Sequence, residues 1–156
     1  MVIRVIGIGN EFRGDDAAGV QVVRDLERRN LPGVDLRVMD GEAVDLMEAF
    51  EGCEAVVLVD AVQSGEPPGT VLCWESPEAL TTAGTLRCST HVFGLAESLE
   101  LARALGRLPD GLTVVGIEGE TFEPGAPLSD AVSRAIPRAA ERVVALLENR
   151  PPGPTC

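Results

Sequence analysis

Two rhythms of apolar residues alternate along this chain. Val2 to Ile8 is a short, nearly unbroken apolar run ending in glycines, and it reads as a buried strand. Past it, Asp15 or Asp16 can cap a helix to about Arg29 that turns Val20, Val23 and Leu26 inward, and Pro32-Gly33 ends it. Val34, Leu36 and Val38 alternate with Asp35 and Arg37, the period of a half-exposed strand. A short helix is predicted over Ala43 to Phe50. Ala55 to Asp60 is then the strongest strand signal. Its near-continuous β-branched character predicts burial on both faces, as in a parallel sheet.

After the Pro67-Pro68-Gly69 turn, Thr70 to Trp74 reads as a further strand. Ser89-Thr90 is expected to cap a helix from about His91 to Leu105, and Leu112 to Ile117 is another buried strand. Ser129-Asp130 opens a last helix ending near Asn149, which Pro137 is expected to kink. No internal repeat is visible. Strands alternating with helices predict a single three-layer α/β/α domain with a mostly parallel, twisted sheet of about five strands. Residues 1–149 form that domain, and the Pro-rich stretch 150–156 reads as a frayed tail.

In such sheets ligands bind beyond the carboxyl ends of the strands. Asp15-Asp16 follows the first strand and its Gly7-Ile8-Gly9-Asn10 turn, Asp60 closes the most apolar run, and His91, the only histidine, stands at a predicted helix start. Three loops on one sheet edge could bring Asp16, Asp60 and His91 together. Two carboxylates and an imidazole suit a borderline divalent metal such as nickel, zinc, iron or manganese, with coordination positions left open for a substrate. Each also has a structural alternative. Asp16 could simply cap its helix, and His91 could be a satisfied polar group. Asp60 is harder to dismiss, because a carboxylate ending a buried strand is costly without a partner or a task. The residues alone therefore define a candidate metal or acid–base site.

Composition narrows the partners. The 156 residues carry a net charge of −12, and all 13 basic residues are arginine, which argues against a positive nucleic-acid-binding footprint. At 45% hydrophobic and 24% charged, the chain is ordinary globular protein, with apolar runs too short to span a bilayer. Cys53, Cys73, Cys88 and Cys156 are scattered without a C-x-x-C pair, and with Met1 running straight into the first strand no signal peptide is expected. A reducing cytoplasm is the expected compartment. Two rival chemistries fare poorly. Gly7-x-Gly9 suggests a dinucleotide fingerprint, but Phe12 stands where the third glycine belongs, and Asp15-Asp16 would repel a pyrophosphate. Cys88 and His91 are spaced as a thiol–imidazole pair, yet nothing marks an orienting group or oxyanion hole. Cys88 reads better as a packed small residue. G-x-S-x-G and H-E-x-x-H motifs are absent.

Gly7-Ile8-Gly9-Asn10-Glu11-Phe12-Arg13-Gly14-Asp15-Asp16-Ala17-Ala18-Gly19-Val20 resembles G-x-G-N-x-x-x-x-D-[DE]-x-x-G-V, the opening signature of the nickel–iron hydrogenase maturation endopeptidases. Asp40-Gly41, Val57-Leu58-Val59-Asp60-Ala61-Val62, Pro68-Gly69-Thr70-Val71 and Ser89-Thr90-His91-Val92-Phe93-Gly94-Leu95 are similar to later motifs of that family. So are Gly116-Ile117-Glu118, Phe122-Glu123-Pro124 and Leu128-Ser129, all in the family's order from about Ile3 to Leu147. Glu42-Ala43 departs from the Gly-Thr that often follows Asp40-Gly41, and Gly119 stands where many relatives have proline.

The resemblance implies a peptidase that trims the C-terminus of the hydrogenase large-subunit precursor after nickel insertion. Asp16, Asp60 and His91 would contact a nickel supplied by the substrate rather than permanently bound, and Asp40 would serve cleavage or substrate positioning. It further implies a cut just after a basic residue following the last C-x-x-C of the large subunit. A monomer without nucleic-acid or membrane partners is expected. The alternative is a non-enzymatic nickel-binding or scaffold protein for hydrogenase assembly.

Overall fold

The most apolar segment of the sequence lies at the middle of the sheet. The computed structural model describes residues 2–76, 79 and 94–150. Its strands are β1 (Val2–Ile8), β2 (Val34–Met39), β3 (Cys53–Val62), β4 (Val71–Trp74) and β5 (Gly111–Glu118). A 3-10 turn (Gly14–Ala17) precedes α1 (Ala18–Arg28), followed along the chain by α2 (Ala43–Phe50), α3 (Leu95–Ala104) and α4 (Asp130–Glu148). The strand order is β2-β1-β3-β5-β4, with β2, β1, β3 and β5 parallel and β4 antiparallel to β5. This is the α/β/α architecture expected from the alternation of rhythms.

Alternation along β3 explains the three layers. Val57, Val59 and Ala61 point to one face, where they join Val22, Leu26, Val132 and Ala139 of α1 and α4. Val56 and Leu58 point to the other, against Leu46 and Phe50 of α2 and Leu95 and Leu99 of α3. Each fully buried Val, Leu or Ile contributes about 1.5–3 kcal/mol by leaving water. Gly19 lets α1 sit directly on the sheet, since a Cβ there would lie 2.3 Å from the Val59 carbonyl oxygen and 2.6 Å from that of Ile8.

Several expectations shift. β3 is longer than the predicted run, starting at Cys53 and passing Asp60 to end at Val62. α3 begins at Leu95 with Gly94 as its N-cap, four residues later than predicted. Ser89, Thr90 and His91 lie outside the described residues, as do Cys88, Cys156 and the tail from residue 151. α4 runs on through Pro137 as one helix, with Pro137 on its exposed side. Val38, expected to face inward with Val34 and Leu36, is 49% exposed. Cys53 and Cys73 are free thiols. Among the described residues no helix is long and apolar enough to cross a membrane.

Candidate active site

Past the carboxyl end of β1 the chain makes a turn that only glycine fits. Gly9 has a φ of 142°. A Cβ there would lie 1.8 Å from the carbonyl oxygen of Asp16. The following amide, that of Asn10, donates to Asp16 Oδ2 at 3.0 Å. The Asn10 side chain accepts from the Phe12 amide at 2.9 Å, closing an Asx turn. The 3-10 turn then carries Asp15 and Asp16, which are 0% and 1% exposed. Neither acid caps α1: its N-cap is Ala17, and no side-chain cap bond is made. The local capping propensity of the doubled acid yields to tertiary contacts.

Asp60 reaches the same region from the centre of the sheet. β3 holds it opposite Gly116 of β5, and it is 1% exposed. Its Oδ1 is buried and accepts no hydrogen bond among the described residues. Burial, and then the neighbouring charge of Asp16, push its carboxyl well above the ordinary aspartate range, against a smaller opposing effect of the Ala61 amide. Two buried carboxylates that feel one another favour a shared proton or a cation between them. Asp16 and Asp60 are therefore brought near one another at the carboxyl edge of the sheet. Among the described residues no group of three His, Cys, Asp or Glu side chains could hold a metal ion. The third expected member, His91, lies outside those residues.

Asp40 follows β2 and is exposed, with Oδ1 accepting the Glu42 amide at 3.2 Å. It lines an open cleft of about 440 Å³ together with Phe12, Val38, Glu27 and Arg24. Arg24 is paired with Glu11 at 2.7 Å. Phe12, 73% exposed, is the most exposed of the large apolar side chains on this surface. Gly9 and Asn10 also line the cleft, so the turn that fixes Asp16 forms part of its wall.

Two further carboxylates escaped sequence reasoning. Asp15 accepts four hydrogen bonds from Glu120, Thr121 and Ser129. Glu118, 3% exposed at the end of β5, accepts the amides of Ser64 and Gly65 and the Ser64 hydroxyl, at 2.6–3.1 Å. Asp15 read only as a cap or as part of a signature, and Glu118 was matched without a role. Their partners lie too far along the chain for local pattern to reveal them.

A parallel α/β sheet with a buried acid pair and a cleft beyond its carboxyl edge marks an α/β protein that acts on a ligand at that edge. Comparison with known proteins narrows the class. The family model for hydrogenase maturation proteases matches residues 20–146, and the chain belongs to that family. It is accordingly a hydrolase of the endopeptidase kind. Hydrogenase 2 maturation protease of Escherichia coli (strain K12) is 33% identical over 150 residues, covering 94% of this chain and 91% of that protein. The hydrogenase expression/formation protein HupD of Thiocapsa roseopersicina is 31% identical over 148 residues, covering 93% of this chain and 67% of that protein. The solution structure of an Escherichia coli endopeptidase superposes with a TM-score of 0.80 at 30% identity, over 95% of this chain and 93% of that one. The nickel–iron hydrogenase maturation protease HybD of Thermococcus kodakarensis gives 0.76 at 26% identity, over 94% and 99%.

Proposed function

We propose that this endopeptidase removes the C-terminal extension of a nickel–iron hydrogenase large-subunit precursor, and that it reads nickel already bound to that substrate. The observation that carries the reading is the Asp16–Asp60 pair, two buried carboxylates close enough for one to raise the proton affinity of the other. Such a pair is destabilised when both members are ionised and relieved when a cation arrives. With His91 it supplies three ligands, enough to complete the coordination of an ion presented on substrate thiolates. Nickel in that position would hold the peptide and draw electron density from it.

The remaining work falls to residues of this chain. Asp40 stands exposed on the cleft, where its carboxylate can take a proton from the attacking water and return it to the departing amine. Phe12 and Val38 offer apolar surface to an extended segment. Glu27 and Asp40 give the cleft acidic character, which suits a basic residue just before the scissile bond.

Nickel-loaded and nickel-free precursor incubated with the protein provide the test, with the released peptide weighed by mass spectrometry. Release from the loaded form alone is expected. Equal release from both forms would remove nickel from the recognition. No release from either would leave a scaffold role in assembly as the better account.

A further inference from the structure

The acid next to Asp16 is held by four hydrogen bonds from the β5–α4 connection. Asp15 Oδ2 accepts the Glu120 amide at 2.7 Å, the Thr121 amide at 3.1 Å and the Ser129 hydroxyl at 2.9 Å, and Oδ1 accepts the Ser129 amide at 2.8 Å. The backbone repeats the attachment. Asp15 N–H donates to the Thr121 carbonyl at 2.7 Å, Gly14 N–H to that of Ala126 at 3.0 Å, and Gly125 N–H to that of Phe12 at 2.7 Å. Ser129 is also the N-cap of α4, and its hydroxyl accepts from the Val132 amide at 3.4 Å. The turn bearing Asp16 is thus fastened to the β5–α4 connection on one side and to Asn10 on the other.

We infer that Asp15 is a positioning residue: by anchoring the Gly14–Ala17 turn to residues 120–129 it sets where the Asp16 carboxylate stands relative to Asp60. The inference rests on the proposed role of Asp16 in contacting a metal. Hydrogen bonds to an ionised acceptor are the strong ones, and four on one carboxylate leave the turn little room to shift. Partners that orient a ligand from behind typically change metal affinity by about 10–100-fold when removed. Asp15 differs from such partners only in acting through the backbone of the adjoining residue.

The test titrates the full chain with cobalt(II) chloride, whose visible absorption reports both binding and ligand geometry, and follows thermal melting in parallel. Asp15→Asn should weaken cobalt binding about 10-fold or more and alter the absorption band. Ser129→Ala, which removes one of the four bonds, should give a smaller loss, and it carries the test if Asp15→Asn does not fold. Glu118→Gln is the control. It cripples a comparable clamp on Ser64 and Gly65, whereas Asp60 is held by the β3–β5 ladder, so the protein should melt lower and bind cobalt unchanged. Wild-type cobalt affinity in Asp15→Asn and Ser129→Ala, or an equal loss in Glu118→Gln, overturns the inference. Asp16→Asn separates the two levels. If it binds cobalt like wild type, the metal role of Asp16 falls and the inference with it. If it loses binding while a folded Asp15→Asn does not, only the inference falls.

Discussion

Asp15 and Asp16 adjoin in sequence and are equally hidden from water, yet they belong to two differently built regions. Asp15 lies in a latch, where amides and a hydroxyl from residues 120–129 surround both of its oxygens. Glu118 makes a second latch of the same design with Ser64 and Gly65. Asp16 instead lies near Asp60, whose Oδ1 finds no donor among the described residues and whose carboxyl is pushed above the ordinary aspartate range by burial and by the charge of Asp16. The latches use buried charge to join loops, because a carboxylate can gather several orphaned backbone amides at once. At the pair, one buried acid raises the proton affinity of another, a perturbation of the kind that clusters at functional sites. Burial alone does not separate the two uses.

The comparison breaks most completely at Gly9, where latch and pair share a turn. Gly9→Ala forces a Cβ against the Asp16 carbonyl, so a loss above about 4 kcal/mol is expected, seen as poor soluble yield or a collapsed melting transition. Next in size, Asp16→Asn and Asp60→Asn should each lower processing of nickel-loaded precursor by about 100-fold or more, roughly 2.7 kcal/mol. Circular dichroism should meanwhile show an intact fold, and near-normal processing by either variant would separate the pair from catalysis.

A smaller effect sharpens the contrast through pH. The folded state holds the Asp60 proton to higher pH than the unfolded chain does. Its stabilising contribution is therefore full below the ordinary aspartate value of 3.8 and is lost as pH rises through the raised one. Metal-free Asp60→Asn should then melt above wild type at neutral pH, by about 2–4 °C for each ~1 kcal/mol relieved, with the gap closing in acid. A gap independent of pH would mean that Asp60 is ionised at no cost. Smallest of all, Phe12→Ala should leave stability within about 0.5 kcal/mol. It should raise the KM for precursor several-fold with kcat little changed, and an unaltered KM would move the peptide off this cleft.

Much of the frame was legible because it depends on local rhythm. Val56 to Val59 could only be a strand buried on both faces, and it lies at the centre of the sheet. Asp60 stood out as a charge at the end of that run, and Asp16 as an acid beyond a glycine turn. The antiparallel direction of β4 was hidden, since four residues of any strand read alike in either sense. The start of α1 was misread because capping preferences are local, whereas Asp15 answers to partners 105–114 positions away. Asp40 was legible only through the resemblance, and its cleft arises from the packing of the Gly9–Phe12 turn against α1 and β2.

Gly7 and Gly19 leave no slack where α1 meets the sheet, with a Cβ on Gly7 reaching within 2.3 Å of the Gly19 carbonyl oxygen. Moving α1 closer to the sheet would press backbone against backbone. Adjustment has to come in discrete increments of side-chain length at residue 16, as with an exchange of aspartate for glutamate. A glutamate there would extend the carboxylate by one methylene, a single step with no intermediate settings.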